Sequence, residues 1–165
     1  MGRVVVISGY FNPIHRGHIE YAQAARDLAG PDGFVYAIVN NDAQAILKKG
    51  YSFVPEADRL AVVGALRSID RAVPSIDADR TVCQTLEALC TGDGPRPTHF
   101  LNDGDSAYTG GSPEAPICAR HGVEMVFAGN PKKQSSSWIL ESSVRTAYAH
   151  LPPTPASAPA PAPAP

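Results

Sequence analysis

A ten-residue stretch near the amino terminus constrains this chain more than any other. Residues 9–18 (GYFNPIHRGH) follow the β-branched run Val4–Ile7 and directly precede a helical pattern of apolar residues. Strand, turn and helix in this order form anion sites in parallel α/β sheets, because the turn lies at the sheet's carboxyl edge and the helix start offers amide donors. His15 and His18 add ring N–H donors, and Gly17 has no side chain to keep a ligand from the backbone. The stretch therefore predicts a site for a triphosphate.

Beyond this stretch, short apolar runs alternate with helical repeats. The runs predict strands at 3–8, 34–39, 71–76, 98–101 and 123–127. Apolar spacing and end signals predict helices at 17–29, at 55–68, after Thr81 as a cap, from Ser112, and at 137–149. Residues 43–54 match no clear element, and Lys48-Lys49-Gly50 within them favours a loop. Because strands and helices alternate, the chain is predicted to form an α/β fold with a doubly wound parallel sheet of five strands.

Length and composition limit the classes of function. The 165 residues suffice for one domain, expected over 1–150, and the Pro/Ala-rich residues 151–165 predict a disordered tail. A formal net charge of −2 without a long basic run disfavours nucleic-acid binding. The three cysteines lack metal-ligand spacing, and no apolar stretch reaches membrane-spanning length. We therefore expect a cytoplasmic protein without a nucleic-acid or membrane partner.

The stretch at 9–18 resembles the signature G-x-F-D/N-P-x-H-x-G-H of the cytidylyltransferase-like nucleotidyltransferases. That family includes glycerol-phosphate cytidylyltransferase, the heptose-phosphate nucleotidyltransferases and the adenylyltransferases of cofactor biosynthesis. The resemblance implies a Rossmann-like fold of the HUP type and places nucleotide contacts on this stretch. The implied nucleotide-binding residues are Gly9, Tyr10, Phe11, Asn12, Gly17 and His18.

The two histidines allow three interpretations. The resemblance implies that His15 and His18 are catalytic, donating hydrogen bonds to charge that develops on phosphate oxygens in the transition state. A purely structural pair is the plain alternative. Metal ligation is the third, but no nearby cysteine or carboxylate completes a ligand set, so no protein metal site is predicted.

Residues 132–137 (KKQSSS) resemble the family's second signature, I-S-S/T-T-x-x-R/K, at the start of the last helix. The resemblance implies nucleotide contacts from Lys133, Ser135, Ser136 and Ser137, with Ser136 catalytic. Gln134 and Leu140 depart from the signature. The segment Ser142–Arg145 is a rival placement, although it falls inside the predicted helix. A serine-rich helix cap is the plain alternative.

Two further groups match family positions. The resemblance implies substrate contacts from Asp42, Lys48, Lys49 and Arg59, with Lys48 also catalytic; as surface charges, the lysines and the arginine would be unremarkable. Asn102, Gly104 and Asp105, after the fourth predicted strand, match a glycine–aspartate motif of the nucleotide pocket. Asp103 and Ser106 depart from the N-G-G-D-R form of that motif.

The implied reaction transfers a nucleoside monophosphate, with CMP favoured, from a nucleoside triphosphate to a small phosphorylated or phosphonate acceptor and releases pyrophosphate. Mg²⁺ is expected with the triphosphate, because its charge must be neutralised before another anion attacks. A homodimer is implied by the family. Two alternatives stay open: an adenylyltransferase of cofactor biosynthesis that uses a mononucleotide acceptor, and a non-catalytic nucleotide sensor on the same fold.

Overall fold

The computed structural model describes residues 2–103, 111–128 and 135–150. Five strands and six helices follow one another along these residues. They are β1 (Val4–Gly9), α1 (Arg16–Ala29), β2 (Phe34–Val39), α2 (Asp42–Lys49), α3 (Glu56–Gly64), β3 (Arg71–Pro74), α4 (Cys83–Thr91), β4 (His99–Asn102), α5 (Ala115–His121), β5 (Glu124–Phe127) and α6 (Ser136–His150). The predicted tail, 151–165, lies outside the described residues.

The strands form one sheet in the order β3-β2-β1-β4-β5, and every pair in it is parallel. The prediction of a doubly wound five-stranded sheet is therefore confirmed. Because β1 lies at the centre, the chain reverses its winding direction between β1 and β4. Ligands of open α/β sheets bind in the crevice at this switch point, outside the carboxyl ends of the strands. The stretch at 9–18 leaves β1 at that point.

Alternate residues of the central strands pack on opposite faces of the sheet. Val5 and Ile7 pack in one buried cluster, which also contains Ala25 of α1. Val6 packs in the other, which also contains Leu86 of α4. All three β1 side chains are fully buried, which explains why this strand is a continuous β-branched run rather than an alternating pattern.

The segment 43–54, to which the sequence assigned no element, is mostly helical, and α2 includes Lys48 and Lys49, where a loop was favoured. The Asn41 side chain accepts a hydrogen bond from the Gln44 N–H, and the Gln44 side chain accepts one from the Asn41 N–H. This reciprocal capping box fixes the start of α2, and Gly50 ends it in the left-handed conformation at φ 82°. The pattern Asn-x-x-Gln was readable in the sequence.

The predicted cap of α4 accounts for only part of this helix start. Thr81 Oγ1 donates to Asp79 and accepts a long hydrogen bond from the Cys83 N–H at 3.4 Å, while Val82 at the helix boundary has no capping side chain. Asp77, 2% exposed, accepts hydrogen bonds from the N–H groups of Gln84 at 2.7 Å and Thr85 at 3.0 Å. A carboxylate five residues before the helix boundary therefore satisfies the second and third amides of α4, a reach that local capping patterns do not include.

Candidate functional site

His15 and His18 cap the start of α1. His15 is the N-cap residue, and its Nδ1 accepts a hydrogen bond from the Gly17 N–H at 3.1 Å. His18 Nδ1 accepts one from the His15 N–H at 3.2 Å. This is a capping box in which imidazoles take the places usually filled by Ser or Thr and by Glu or Gln. Two of the helix's otherwise unpaired amides are thereby satisfied.

This arrangement fixes which ring nitrogen carries the proton. In a neutral imidazole one nitrogen accepts and the other donates, so acceptance at both Nδ1 atoms leaves the proton on each Nε2. The rings stack with their centroids 3.8 Å apart, and both are half-buried. Burial, the neighbouring His15 and Lys49 lower the pKa of His18 to about 3. His18 is therefore a neutral N–H donor at physiological pH.

Phe11 supports the pair from inside the loop. Its ring is 4.9 Å from the His18 ring, and the residue is 1% exposed. Phe11 has a positive φ of 49°, a left-handed conformation that is rare for a bulky residue and that clusters at functional sites. A Cβ on Gly9 would lie 3.1 Å from the Phe11 ring, so a larger residue there would require this buried ring to shift.

Asn12 fastens the loop that follows α2 to the histidine stretch. The residue is 3% exposed; its Nδ2 donates to Ser52 Oγ at 3.1 Å, and its Oδ1 accepts from the Val54 N–H at 2.8 Å. The Lys49 ammonium lies 3.5 Å from the Asn12 carbonyl oxygen. Because the Asn12 side chain is buried and occupied, it has this structural role, and a nucleotide contact through the rest of the residue stays a prediction.

Arg59 lies beneath the site rather than on it. It is 1% exposed and donates hydrogen bonds to the carbonyl oxygens of Tyr10, Asn40 and Val54. The same guanidinium pairs with the Asp42 carboxylate at 2.7 Å. A direct substrate contact by Arg59 does not fit this geometry, because its donors are used within the protein. Arg59 instead ties the ends of β1 and β2 to α2 and α3.

Asp42 is engaged by the same network. Its carboxylate also accepts hydrogen bonds from Ser52 Oγ at 2.6 Å and the Glu56 N–H at 3.1 Å. Burial opposes ionisation of Asp42, but these hydrogen bonds and Arg59 outweigh it, so the pKa of Asp42 lies below its ordinary value. A substrate acceptor bound by Asp42, as expected, would therefore compete with three partners of this carboxylate, namely Arg59, Ser52 and the Glu56 N–H. Sequence reasoning missed Ser52, which carries no signal of its own.

The start of α6 reaches the histidine stretch. Ser136 Oγ donates to the Pro13 carbonyl oxygen at 2.8 Å, and Ser136 is 8% exposed. Ser135 Oγ accepts from the Trp138 N–H at 3.2 Å, which caps the helix. The residues 135–137 therefore lie at a helix start that contacts the histidine stretch through Pro13. The rival segment Ser142–Arg145 lies on exposed interior turns of α6.

The remaining predicted residues lie around this centre. The Lys48 ammonium is 4.2 Å from the centre of the Tyr10 ring. Asn102 ends β4 and donates to Ser112 Oγ at 3.4 Å. Gly104, Asp105 and Lys133 lie outside the described residues. Within the described ranges no group of three or more His, Cys, Asp or Glu side chains could hold a metal ion. None of the helices in those ranges has the length and apolarity needed to span a membrane.

Comparison with known proteins places this geometry in a family. The family model described as cytidylyltransferase-like matches residues 6–134, so the chain belongs to the cytidylyltransferase-like family. The FAD synthase of Methanopyrus kandleri is 36% identical over 73 residues, which are 44% of this chain and 49% of that protein. The bifunctional protein HldE of Halorhodospira halophila is 36% identical over 89 residues, 53% of this chain and 18% of that protein.

A solved structure shows the same fold. The crystal structure of the lipopolysaccharide core biosynthesis protein from Thermoplasma volcanium has a TM-score of 0.61 at 20% identity, covering 79% of this chain and 99% of that one. The similarity to curated relatives is partial, since the chain matches about half the length of the FAD synthases, 49% and 50% for two of them.

Proposed function

We propose that this chain is a nucleotidyltransferase that transfers a nucleoside monophosphate from a triphosphate to a small phosphorylated or phosphonate acceptor. The observation that carries the proposal is the stacked pair His15 and His18, whose Nδ1 atoms both accept backbone N–H groups, at the switch point of the sheet. Membership in the cytidylyltransferase-like family supports the same conclusion.

In the proposed reaction an oxygen of the acceptor attacks the α-phosphorus of the triphosphate. The new P–O bond forms while the bond to the bridging oxygen breaks, and pyrophosphate leaves with the electron pair. His15 and His18 donate N–H hydrogen bonds to oxygens that gain charge as the bond breaks, which stabilises the transition state more than the ground state. No covalent enzyme intermediate is required.

Charge around the site suits anionic substrates. Ser136 and the other serines at the start of α6 offer hydroxyl and amide donors beside the histidines. We assign Lys48 and Lys49, at the end of α2, to phosphate oxygens of the substrates. Mg²⁺ enters as part of the triphosphate substrate and neutralises its oxygens before the acceptor attacks.

The transferred base has two candidates. The resemblance of the first motif favours CMP. Similarity to proteins named FAD synthase favours AMP equally, because FAD consists of FMN joined to AMP. Adenylyl transfer to a mononucleotide is therefore the second candidate function. A homodimer, which the family implies, is part of the proposal and can be checked by sedimentation of the purified protein.

The test is pyrophosphate release by the full chain with Mg²⁺ and either CTP or ATP, each against a panel of acceptors. The panel contains polyol phosphates, sugar phosphates, phosphonates and FMN. We expect release that requires one triphosphate and one acceptor class and is lost in a His15→Ala, His18→Ala double variant. Tight triphosphate binding without release across the panel would contradict the proposal and favour the nucleotide sensor.

A further inference from the structure

Lys48 lies against an aromatic face that the histidine stretch supplies. It is in the last turn of α2, and its ammonium is 4.2 Å from the centre of the Tyr10 ring. A cation over an aromatic face within about 6 Å is attracted by the electron-rich ring. Tyr10 immediately follows β1 and precedes the histidines, so the contact joins the predicted phosphate-binding lysine to the loop that carries the catalytic pair.

Tyr10 is fixed through its backbone and is partly buried. Its carbonyl oxygen accepts a hydrogen bond from the buried Arg59 at 2.8 Å. Burial raises the pKa of the Tyr10 hydroxyl, with smaller opposing influences from Arg80 and Asp79. The segment of those two residues is itself fixed, because the buried Gln44 side chain donates to the carbonyl oxygens of Asp79 at 2.6 Å and Thr81 at 2.7 Å.

The hydroxyl of Tyr10 contributes little to this arrangement. Its oxygen is buried and makes no hydrogen bond within the described residues. Buried polar groups are normally paired, and an unpaired one costs stability. What this side chain offers at this position is therefore its aromatic face, with Lys48 above it.

We propose that Tyr10 is a positioning residue that holds Lys48 beside the histidine stretch for the reaction. The inference rests on the proposed function, in which Lys48 meets a substrate phosphate. A lysine side chain loses considerable rotamer freedom when it is fixed on a phosphate. Contact with the Tyr10 ring already restricts the rotamers of Lys48 in the free enzyme, so less rotamer entropy is lost when Lys48 binds the phosphate in the transition state.

A double-mutant cycle tests the coupling. Tyr10→Leu keeps an apolar side chain without an aromatic face, and Lys48→Met keeps the length of the lysine without its charge. We expect Tyr10→Leu to lower kcat by roughly 3- to 10-fold, with a smaller change in KM for the triphosphate. In the Lys48→Met background the same substitution should have no further effect on kcat. Equal effects in both backgrounds would overturn the inference.

Two matched variants complete the cycle. Tyr10→Phe keeps the ring and should recover most of the turnover that Tyr10→Leu loses. Tyr51→Leu makes the same change at an exposed tyrosine three residues beyond Lys48, and its effect should add to that of Lys48→Met without coupling. Coupling of equal size at Tyr51 would also overturn the inference, because it would reflect a general change around α2.

An NMR measurement separates this inference from the proposed function. In protein labelled with ¹³C-lysine, protons of the Lys48 side chain above the Tyr10 ring should be shifted upfield by its ring current. The shift should persist in Tyr10→Phe and vanish in Tyr10→Leu. A wild-type chain inactive in every pyrophosphate assay contradicts the proposed function. An active wild type without this shift contradicts the positioning role alone.

Discussion

At the scale of single residues, the histidine pair combines two tasks that are usually separate. Each Nδ1 satisfies an amide at the start of α1, and on the proposed mechanism each Nε2 donates its proton's hydrogen bond to a substrate oxygen. The fold therefore selects the tautomer that the proposed chemistry needs. The same fact means that removing an imidazole weakens the helix start and the site together, so alanine substitution alone cannot separate the two effects.

Substitution of His18 tests this double task. His18→Ala should lower kcat about a hundredfold through loss of one transition-state donor. It should also lower the free energy of unfolding by about 1 kcal/mol through loss of the capping hydrogen bond. His18→Gln, which places a usual capping-box side chain there, should restore the stability and part of the turnover. Denaturant unfolding measures the stability of these variants, and pyrophosphate release measures their turnover. Full turnover in His18→Ala would contradict the donor role.

The low pKa of His18 predicts an acid-sensitive stability. The pKa is about 3 in the folded chain and near 6.5 when unfolded, so the unfolded state takes up the proton first as the pH falls. Stability should therefore decrease as the pH falls from 6.5 towards 3. Between pH 7 and 4.5 the free energy of unfolding should fall by about 2 kcal/mol more in the wild type than in His18→Gln. Parallel stability curves for the two proteins would rule this linkage out.

At the scale of elements, local patterns predicted strands and helix centres but not every helix start. The continuous run at β1 and the alternation of strands with helices were sufficient to predict the parallel sheet. The start of α4 was only partly predictable from nearby residues, since Thr81 accepts from its first amide but Asp77, three residues beyond β3, accepts from the next two. The helix α2 was missed although its capping box was present, because Lys48-Lys49-Gly50 suggested a loop.

The reassigned cap of α4 has a direct test. Asp77→Ala should lower the free energy of unfolding by about 3 kcal/mol, because it leaves buried amides and the hydroxyls of Ser75 and Thr85 without their acceptor. Thr81→Ala, at the cap expected from the sequence, should lower the free energy of unfolding by less than about 0.5 kcal/mol. Denaturant unfolding of both variants compares them. A larger loss at Thr81 than at Asp77 would contradict the assignment.

The sequence did not reveal which predicted site residues use their side-chain donors within the protein. The first motif fixed where the site lies, because strand, turn and helix leave one place for it. The family signature could not distinguish side chains facing a ligand from those facing the protein. Asn12 and Arg59 match family positions, yet the structure turns both inward. That distinction depends on long-range contacts with Ser52, Val54 and Asn40.

At the scale of the whole molecule, one buried guanidinium joins the carboxyl edge of the sheet. Arg59 contacts the ends of β1 and β2, the start of α2 and the segment before α3. The Asp42–Arg59 pair is surrounded by hydrogen bonds from Ser52 and the Glu56 amide. The position of the histidine stretch relative to the lysines of α2 therefore depends on a residue that a ligand does not reach.

Substitution of Arg59 distinguishes this role from substrate binding. Arg59→Met should lower the free energy of unfolding by about 3–5 kcal/mol, since it leaves carbonyl oxygens and the Asp42 carboxylate unpaired. Arg59→Lys should recover only part of the stability lost in Arg59→Met, because one ammonium cannot reproduce the several planar N–H donors of the guanidinium. Lys48→Met, by contrast, should lower turnover at unchanged stability. A fully stable Arg59→Lys with reduced turnover would contradict the structural role.

The tautomer set by the start of α1 has a consequence for the direction of catalysis. On the proposed mechanism the rings of His15 and His18 donate hydrogen bonds and keep their protons. The protein therefore ends each catalytic cycle in the ionisation state in which it began. By microscopic reversibility, the same resting enzyme is equally ready for pyrophosphorolysis of its product. The supply and removal of pyrophosphate, rather than any reset of the protein, would then decide whether product accumulates.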